Sequence, residues 1–152
     1  GIDRPHPSPA PIANGERVGH ELFAAWSKAT TDDKLRPVLD MVAIREMEHS
    51  WAFEKRISEL GFALQPGEDK SLKKLVRLMK SKATDEEKFA AFGIGVPSSR
   101  EGAPTDRLLQ ILSDTSIDPQ TGGLIGRFIC EERDTGRELT KAYRAMQRRK
   151  RA

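Results

Sequence analysis

The feature of this sequence that most constrains its fold is a stripe of side chains spaced three or four residues apart. The stripe consists of Leu39, Val42, Glu46, His49, Phe53, Ile57 and Leu60. Steps of this size keep one side of an α-helix facing inward. The segment is therefore predicted to be a long helix of an all-α protein, which follows a turn near Thr31 and is ended by Gly61 in the C′ position.

Two polar residues, Glu46 and His49, interrupt this stripe at its centre. Burying a carboxylate and an imidazole without partners costs on the order of several kcal/mol. A Glu-x-x-His tetrapeptide is common on exposed helix faces, but here it lies on the face that is predicted to be buried. Either a bound metal ion or a buried hydrogen-bond network is therefore needed to stabilise the pair.

A first helix is predicted over residues 14–29, with Asn14 as its N-cap. The short turn after it, rich in Thr and Asp, makes the first two helices antiparallel, so that residues equidistant from the turn face each other. This spacing places Glu16 opposite Glu46. Two carboxylates and the imidazole of His49 are thus predicted to converge at one level, a donor set that suits iron or manganese, with zinc as an alternative.

The first hairpin resembles a known family in the peptides NGERVGHELF and AIREMEH, which contain these three polar residues. Both peptides are similar to the first hairpin of rubrerythrin-like proteins in the ferritin-like superfamily, over residues 12–61 and only weakly beyond. The resemblance implies a four-helix bundle of two αα-hairpins, joined by a long crossover containing short helices. It also implies Glu16 as a terminal or bridging ligand, Glu46 as a bridging carboxylate and His49 as the imidazole ligand of a metal site.

A second stripe lies 86 residues further along the chain and matches the first one position by position. It consists of Ile125, Phe128, Glu132, Thr135, Leu139, Tyr143 and Met146. The same shift aligns Leu108, Leu109 and Leu112 with Leu22, Phe23 and Trp26. The repeat predicts a second hairpin, with a third helix over residues 105–113 and a fourth over residues 119–148.

The second half of the repeat keeps one acidic position and loses the histidine. Glu132 aligns with Glu46, but Thr135 stands where His49 would be repeated. The other two histidines of the chain lie within its first twenty residues, so a site with two histidines is not expected in one chain. The predicted metal ligands are Glu16, Glu46, His49 and Glu132.

Other acidic residues provide alternative ligands. A shift of 85 residues aligns Glu101, Glu131 and Asp134 with the polar residues of the first hairpin, at the expense of the apolar match. We prefer the shift of 86, in which Gly102 stands in place of Glu16, and keep the three acidic residues as substitute ligands. A further interpretation is that the four predicted ligands form a metal-free hydrogen-bond network, the relic of a lost site.

Three further side chains are interpreted as structural. His20 shares a face with Glu16 but lacks the usual ligand spacing, and Tyr143 belongs to the apolar stripe of the last helix. Cys130, the single cysteine, lies beside that stripe and is predicted to be an inert buried thiol. A single cysteine excludes an internal disulfide and fits a reducing compartment.

Between the hairpins, residues 71–80 and 84–92 are predicted to form two short helices. Thr84 and Glu87 have the spacing of a capping box at the start of the second one. The long helix also carries a second apolar line, Met41, Ile44 and Trp51. Because one bundle core covers one face only, either the short helices or a second copy of the chain is predicted to cover this line.

The chain is expected to form one helical domain over residues 13–148, between a Pro-rich linker over residues 1–12 and a basic tail over residues 149–152. The linker and the start at Gly1 predict a piece of a larger protein, so a fused or neighbouring domain is an alternative partner to a homodimer. The net charge of +3 resides in the tail, and no nucleic-acid partner is expected. No apolar run reaches the roughly 18 residues that a membrane span needs, which favours a cytoplasmic location.

Two functions are expected as alternatives. The first is an accessory or dimerisation module with a degenerate metal site, which the missing histidine and the fragment-like start favour. The second, which the resemblance implies, is a rubrerythrin-like di-iron or single-metal oxidase or peroxidase, or a metal-binding protein, in which the four predicted ligands hold the iron. The sequence predicts no substrate for either function.

Overall fold

The computed structural model describes residues 10–63, 67, 69–97 and 106–152, and over these residues the chain is helical without any strand. The helices are α1 (Ala10–Ala29), α2 (Arg36–Glu59), α3 (Lys70–Lys80), α4 (Asp85–Ala91), α5 (Asp106–Leu112) and α6 (Pro119–Arg151). The predicted all-α class is therefore confirmed. None of these helices combines the length and the apolar composition that crossing a membrane would require.

Helices α1 and α2 form the antiparallel hairpin that the sequence predicts. In the turn between them, the Asp32 carboxylate accepts hydrogen bonds from the backbone N–H groups of Lys34 and Leu35, at 2.9 and 3.1 Å. Along the hairpin, Nδ1 of His20 donates to the backbone oxygen of Ala43 at 2.7 Å. Helix α2 ends at its predicted stop, where Gly61 adopts a φ of 82°, a conformation that glycine adopts without steric cost.

The core consists of two apolar clusters at opposite ends of the α2–α6 pair. At one end, α3 and α4 cover Trp26 and Leu39 together with Met146 of α6. At the other end, α5 covers Phe53 and its neighbours on α6. Because α3 has 11 residues and α4 and α5 have 7 each, no single one of them spans the 24 residues of α2. The stretch of α2 between the two clusters carries Glu46 and His49.

The crossover helices are fixed by polar contacts at their ends. The predicted capping box of Thr84 and Glu87 is present at the start of α4. Asp85 accepts hydrogen bonds from the indole of Trp26 at 2.7 Å and from the hydroxyl of Thr30 at 2.8 Å, which joins α4 to the end of α1. Lys88 is buried, and its ammonium donates to two backbone oxygens at the end of α3, each at 3.0 Å.

Two helices extend beyond their predicted bounds. Helix α1 begins at Ala10, so the last residues of the predicted linker 1–12 are helical. Pro11 falls in the first turn, where the N–H that proline lacks would have no partner within the helix. Residues 1–9 lie outside the described part of the chain.

The predicted basic tail over residues 149–152 is helical as far as Arg151. Two of its cations are paired, because Arg149 forms an ion pair with Asp32 and Lys150 forms one with Glu86. These contacts fasten the end of α6 to the α1–α2 turn and to α4. Local composition could not indicate them, since both acidic partners lie far away in the sequence.

The 86-residue register is confirmed on α6 by the pattern of burial. Ile125, Phe128, Thr135, Leu139 and Met146 are buried, as the shift from α2 requires. The register fails on α5, where Leu109 and Leu112 are exposed and Leu108 and Ile111 are buried. The prediction for Cys130 is also wrong, since its side chain is exposed. It lies two residues beyond Phe128, which on a helix turns it away from the inward stripe.

The second apolar line of α2 is largely uncovered in the single chain. Ile44 is 67% exposed and Trp51 is 64% exposed. Only Met41 is partly buried, against the core cluster at the α3–α4 end. The described crossover helices therefore do not cover this line.

Candidate metal centre

Three helices contribute acidic or imidazole side chains to one position between the two core clusters. Glu16 comes from α1, Glu46 and His49 come from α2, and Glu132 comes from α6. His49 is fully buried, and its ring centroid lies 4.1 Å from that of Phe128. The apolar ends of the bundle thus enclose a polar centre, at the level that the sequence predicts.

The orientation of the His49 ring follows from a hydrogen bond with Glu131. Nε2 of His49 lies 2.7 Å from Oε2 of Glu131. Because a carboxylate only accepts, Nε2 carries the proton. Nδ1 then faces the opposite way, 3.4 Å from Oε2 of Glu16 and 3.3 Å from Oε1 of Glu132.

These three facing atoms are buried and have no hydrogen-bond partner. They are Nδ1 of His49, Oε2 of Glu16 and Oε1 of Glu132. All three lie within 4.8 Å of one another. Buried polar atoms are nearly always paired, so three that share one small space indicate a missing partner. Two of them are carboxylate oxygens and one is an imidazole nitrogen, a donor set that fits a divalent cation.

Glu46 adds a further buried carboxyl group to the acidic cluster, beside Glu16 and Glu132. Its carboxyl group packs against Gly19 so closely that a Cβ at position 19 would overlap it. Burial raises the pKa of Glu46 far above its usual range, and the neighbouring carboxylates of Glu16 and Glu132 raise it further. Without a cation, Glu46 therefore holds a proton at neutral pH.

His49 is also protonated in the absence of a cation. Burial opposes the charge on its ring, but the carboxylates of Glu132, Glu16 and Glu131 outweigh this effect and raise the pKa of His49 to about 10. Positive charge is thus favoured at the centre of the cluster, either as protons or as a metal ion.

The position that repeats His49 on α6 has different chemistry. Thr135 is buried there, and its hydroxyl accepts a hydrogen bond from Nη1 of Arg45 at 3.2 Å. Nη2 of the same guanidinium lies 2.8 Å from Oδ2 of Asp134. Asp134, a predicted substitute ligand, is therefore paired with Arg45 and belongs to this side of the cluster.

The structure brings Glu16, His49 and Glu132 to one position, with Glu46 beside the two carboxylates, and their role as metal ligands stays a prediction. Glu131 was predicted as a substitute ligand, but it contacts the nitrogen of His49 that faces away from the three unpartnered atoms. Sequence reasoning missed this role, although the position of Glu131 beside Glu132 on the inward side of α6 was a usable signal. The substitute ligand at position 101 lies outside the described residues.

The tight packing of Gly19 and the position of Arg45 were likewise not predicted. Gly19 lies three residues after Glu16, on the same face of α1, which in retrospect indicates a close approach to α2. The chain matches no protein-family model, no curated protein and no solved structure. Membership of the ferritin-like superfamily therefore stays a prediction.

Proposed function

We propose that the chain binds a divalent metal ion, iron or manganese in preference to zinc, through Glu16, Glu46, His49 and Glu132. The observation that carries the proposal is the convergence of three buried, unpartnered donor atoms from three helices. Hard carboxylate oxygens with a single imidazole match the preference of iron(II) and manganese(II). Zinc remains an alternative ion because it accepts the same donors.

The contact between His49 and Glu131 supports the proposal. Metal-binding histidines usually donate their second ring N–H to a carboxylate, which fixes the tautomer and directs the free nitrogen at the ion. Here Nε2 of His49 has that partner at 2.7 Å, and Nδ1 faces the carboxylates of Glu16 and Glu132. In the metal-free protein, a proton on Nδ1 would occupy the place that the ion takes when it is bound.

A redox-active ion in this cluster would supply electron transfer to oxygen or peroxide. That activity is what the resemblance to rubrerythrin-like proteins implies. The four side chains would bind the ion, and the apolar clusters on either side would limit the access of water. A single-metal binding role without turnover uses the same residues, so ion binding is the first property to measure.

The test is thermal unfolding of the chelator-treated protein with and without manganese(II), or iron(II) under anaerobic conditions. A ligand that binds only the native state stabilises it, by about 2.7 kcal/mol at a hundredfold excess over Kd. We expect the midpoint of the wild type to rise with metal, and the rise to disappear in His49→Ala. His20→Ala is the matched control, because His20 bonds a backbone oxygen outside the cluster and should retain the rise. A wild-type midpoint that metal does not move would refute the proposal.

A second candidate function, dimerisation through α2, is favoured by the exposure of Ile44 and Trp51. Two copies of α2 that cross antiparallel near its middle would bring Trp51 of each against Ile44 of the other. The same crossing would place the Lys55 ammonium of each copy near the Asp40 carboxylate of the other. Such a crossing would set apolar residues against each other and bring opposite charges together, as a two-fold interface requires.

Sedimentation measures this second function directly. We expect a dimer for the wild type and a monomer for Trp51→Glu, since a carboxylate at the centre of the contact would be buried without a partner. Phe62→Glu is the matched control, because Phe62 is equally exposed but lies beyond the end of α2. A monomeric wild type at high concentration would contradict the dimer and leave the metal proposal unaffected.

A further inference from the structure

We infer that the cluster takes one metal ion per chain and not two, because Arg45 and Thr135 occupy the half of the site in which the repeat would place a second imidazole and its orienting carboxylate. The inference rests on the proposed metal function and specifies its stoichiometry. It also departs from the dinuclear site that the resemblance implies.

Contacts between α2 and α6 match in pairs on the two sides of the cluster. The two helices run antiparallel, and a shift of 86 residues converts the pair His49–Glu131 into the pair Thr135–Arg45. Both contacts exist: Nε2 to Oε2 at 2.7 Å in the first pair, and Nη1 to Oγ1 at 3.2 Å in the second. The two pairs are therefore related by an approximate two-fold axis through the centre of the cluster.

The apolar residue pairs on either side of the cluster are related by the same approximate two-fold axis. Phe53 of α2 lies against Phe128 of α6, with ring centroids 4.7 Å apart. The shift converts this pair into Leu139 and Val42, which lie together in the other core cluster. Because apolar and polar pairs both follow the axis, the Arg45–Thr135 contact is the structural counterpart of the His49–Glu131 contact.

The counterparts are opposite in chemistry. On one side, an anionic carboxylate orients an imidazole whose free nitrogen can bind a cation. On the other side, a guanidinium that cannot lose its charge donates to a neutral hydroxyl, and Asp134 holds it in place at 2.8 Å. A hydroxyl is a weak ligand in comparison with imidazole, and a guanidinium only donates hydrogen bonds, so Thr135 and Arg45 do not replace the imidazole and its carboxylate.

The experiment is the metal stoichiometry of the whole chain, measured by equilibrium dialysis with manganese(II). We expect one ion per chain for the wild type and two for the double variant with Arg45→Glu and Thr135→His, which rebuilds the missing half. The matched control is Arg133→Glu with Thr140→His, because both residues line a surface pocket along α6 that none of the predicted ligands lines. This control should still bind one ion.

Electron paramagnetic resonance of the manganese-loaded wild type keeps the test independent of whether the double variant folds. An isolated ion gives the hyperfine pattern of a single manganese(II), whereas two adjacent ions give the pattern of an exchange-coupled pair. The coupled pattern, or two ions per wild-type chain, would overturn the inference while leaving the proposed function intact. A folded double variant that binds only one ion would also overturn it. No binding by the wild type would refute the proposed function itself.

Discussion

At the scale of single residues, the direction of the His49 ring depends on one hydrogen bond to Glu131. Glu131→Gln keeps the size of the side chain and removes its charge, so the imidazole is less basic and less firmly oriented. We expect the affinity for manganese(II) to fall by roughly 10- to 100-fold, the usual effect of losing such a partner. Isothermal titration calorimetry measures this change.

Glu48→Gln is the matched control for this variant. Glu48 and Glu131 both contact the guanidinium of Arg127, but only Glu131 contacts His49. The control should therefore bind manganese(II) as the wild type does. Equal losses of affinity in both variants would mean that Arg127, and not the orientation of His49, controls the site.

A second prediction at this scale concerns Gly19. Glycine within a helix costs about 1 kcal/mol relative to alanine, so alanine normally stabilises such a position. Gly15→Ala, with open space around its Cβ, should show this gain in urea unfolding. Gly19→Ala should gain less or lose stability, because its Cβ displaces the buried carboxyl group of Glu46. It should also weaken manganese(II) binding, and unchanged binding would show that Glu46 is not needed in the site.

At the scale of helices, the junction of α3 and α4 depends on the buried ammonium of Lys88. It donates to the backbone oxygens of Met79 and Ser81, which the end of α3 leaves without intrahelical partners. Lys88→Met keeps the apolar length of the side chain and removes both hydrogen bonds. We expect a loss of about 1–3 kcal/mol, the usual cost of unsatisfied buried groups, in the free energy of unfolding.

Urea unfolding of Lys88→Met and Lys82→Met separates this effect from a general loss of charge. Lys82 is exposed on the same short connection, so its substitution should change stability little. If the two variants unfold at the same urea concentration, the hydrogen bonds of Lys88 do not stabilise the α3–α4 junction.

At the scale of the whole molecule, the acidic cluster makes stability depend on pH. The pKa of Glu46 is raised from 4.5, and that of His49 is raised from 6.5 to about 10. At any pH between the unfolded-state and native-state pKa values of these two groups, the metal-free native state binds more protons than the unfolded state. Across that window its stability therefore falls as pH rises, by up to about 1.4 kcal/mol per pH unit for each such proton.

Thermal unfolding of the chelator-treated protein between about pH 6 and about pH 9 measures this dependence. Most of this range lies between the unfolded-state and native-state pKa values of His49. We expect the midpoint to fall with rising pH, and to fall less steeply in Glu46→Gln, which imitates the protonated carboxyl group. The control Glu21→Gln alters an exposed carboxylate and should keep the wild-type slope. With saturating manganese(II) the trend should weaken or reverse, because metal binding displaces these protons. A metal-free midpoint that rises over this range would contradict the pKa shifts.

The sequence by itself determined the helical class, the α1–α2 hairpin and the polar centre of the cluster. It could do so because helix periodicity, caps and turns are local properties of the chain. The stripe through Glu46 and His49, the stop at Gly61 and the capping box at Thr84 all depend on residues within a few positions of each other. The distance of Glu16 from the turn was sufficient to place it opposite these residues.

Only the tertiary structure decided how α6 is rotated against α2, and that rotation assigns the remaining roles. It directs Glu131 at the outer nitrogen of His49, brings Arg45 to Thr135 and leaves Cys130 exposed. The two hydrogen bonds join residues more than eighty positions apart in the sequence, and no local pattern specifies them. A helix presents several side chains at the edge of its inward face, and the packing of the neighbouring helix selects which of them enter the site.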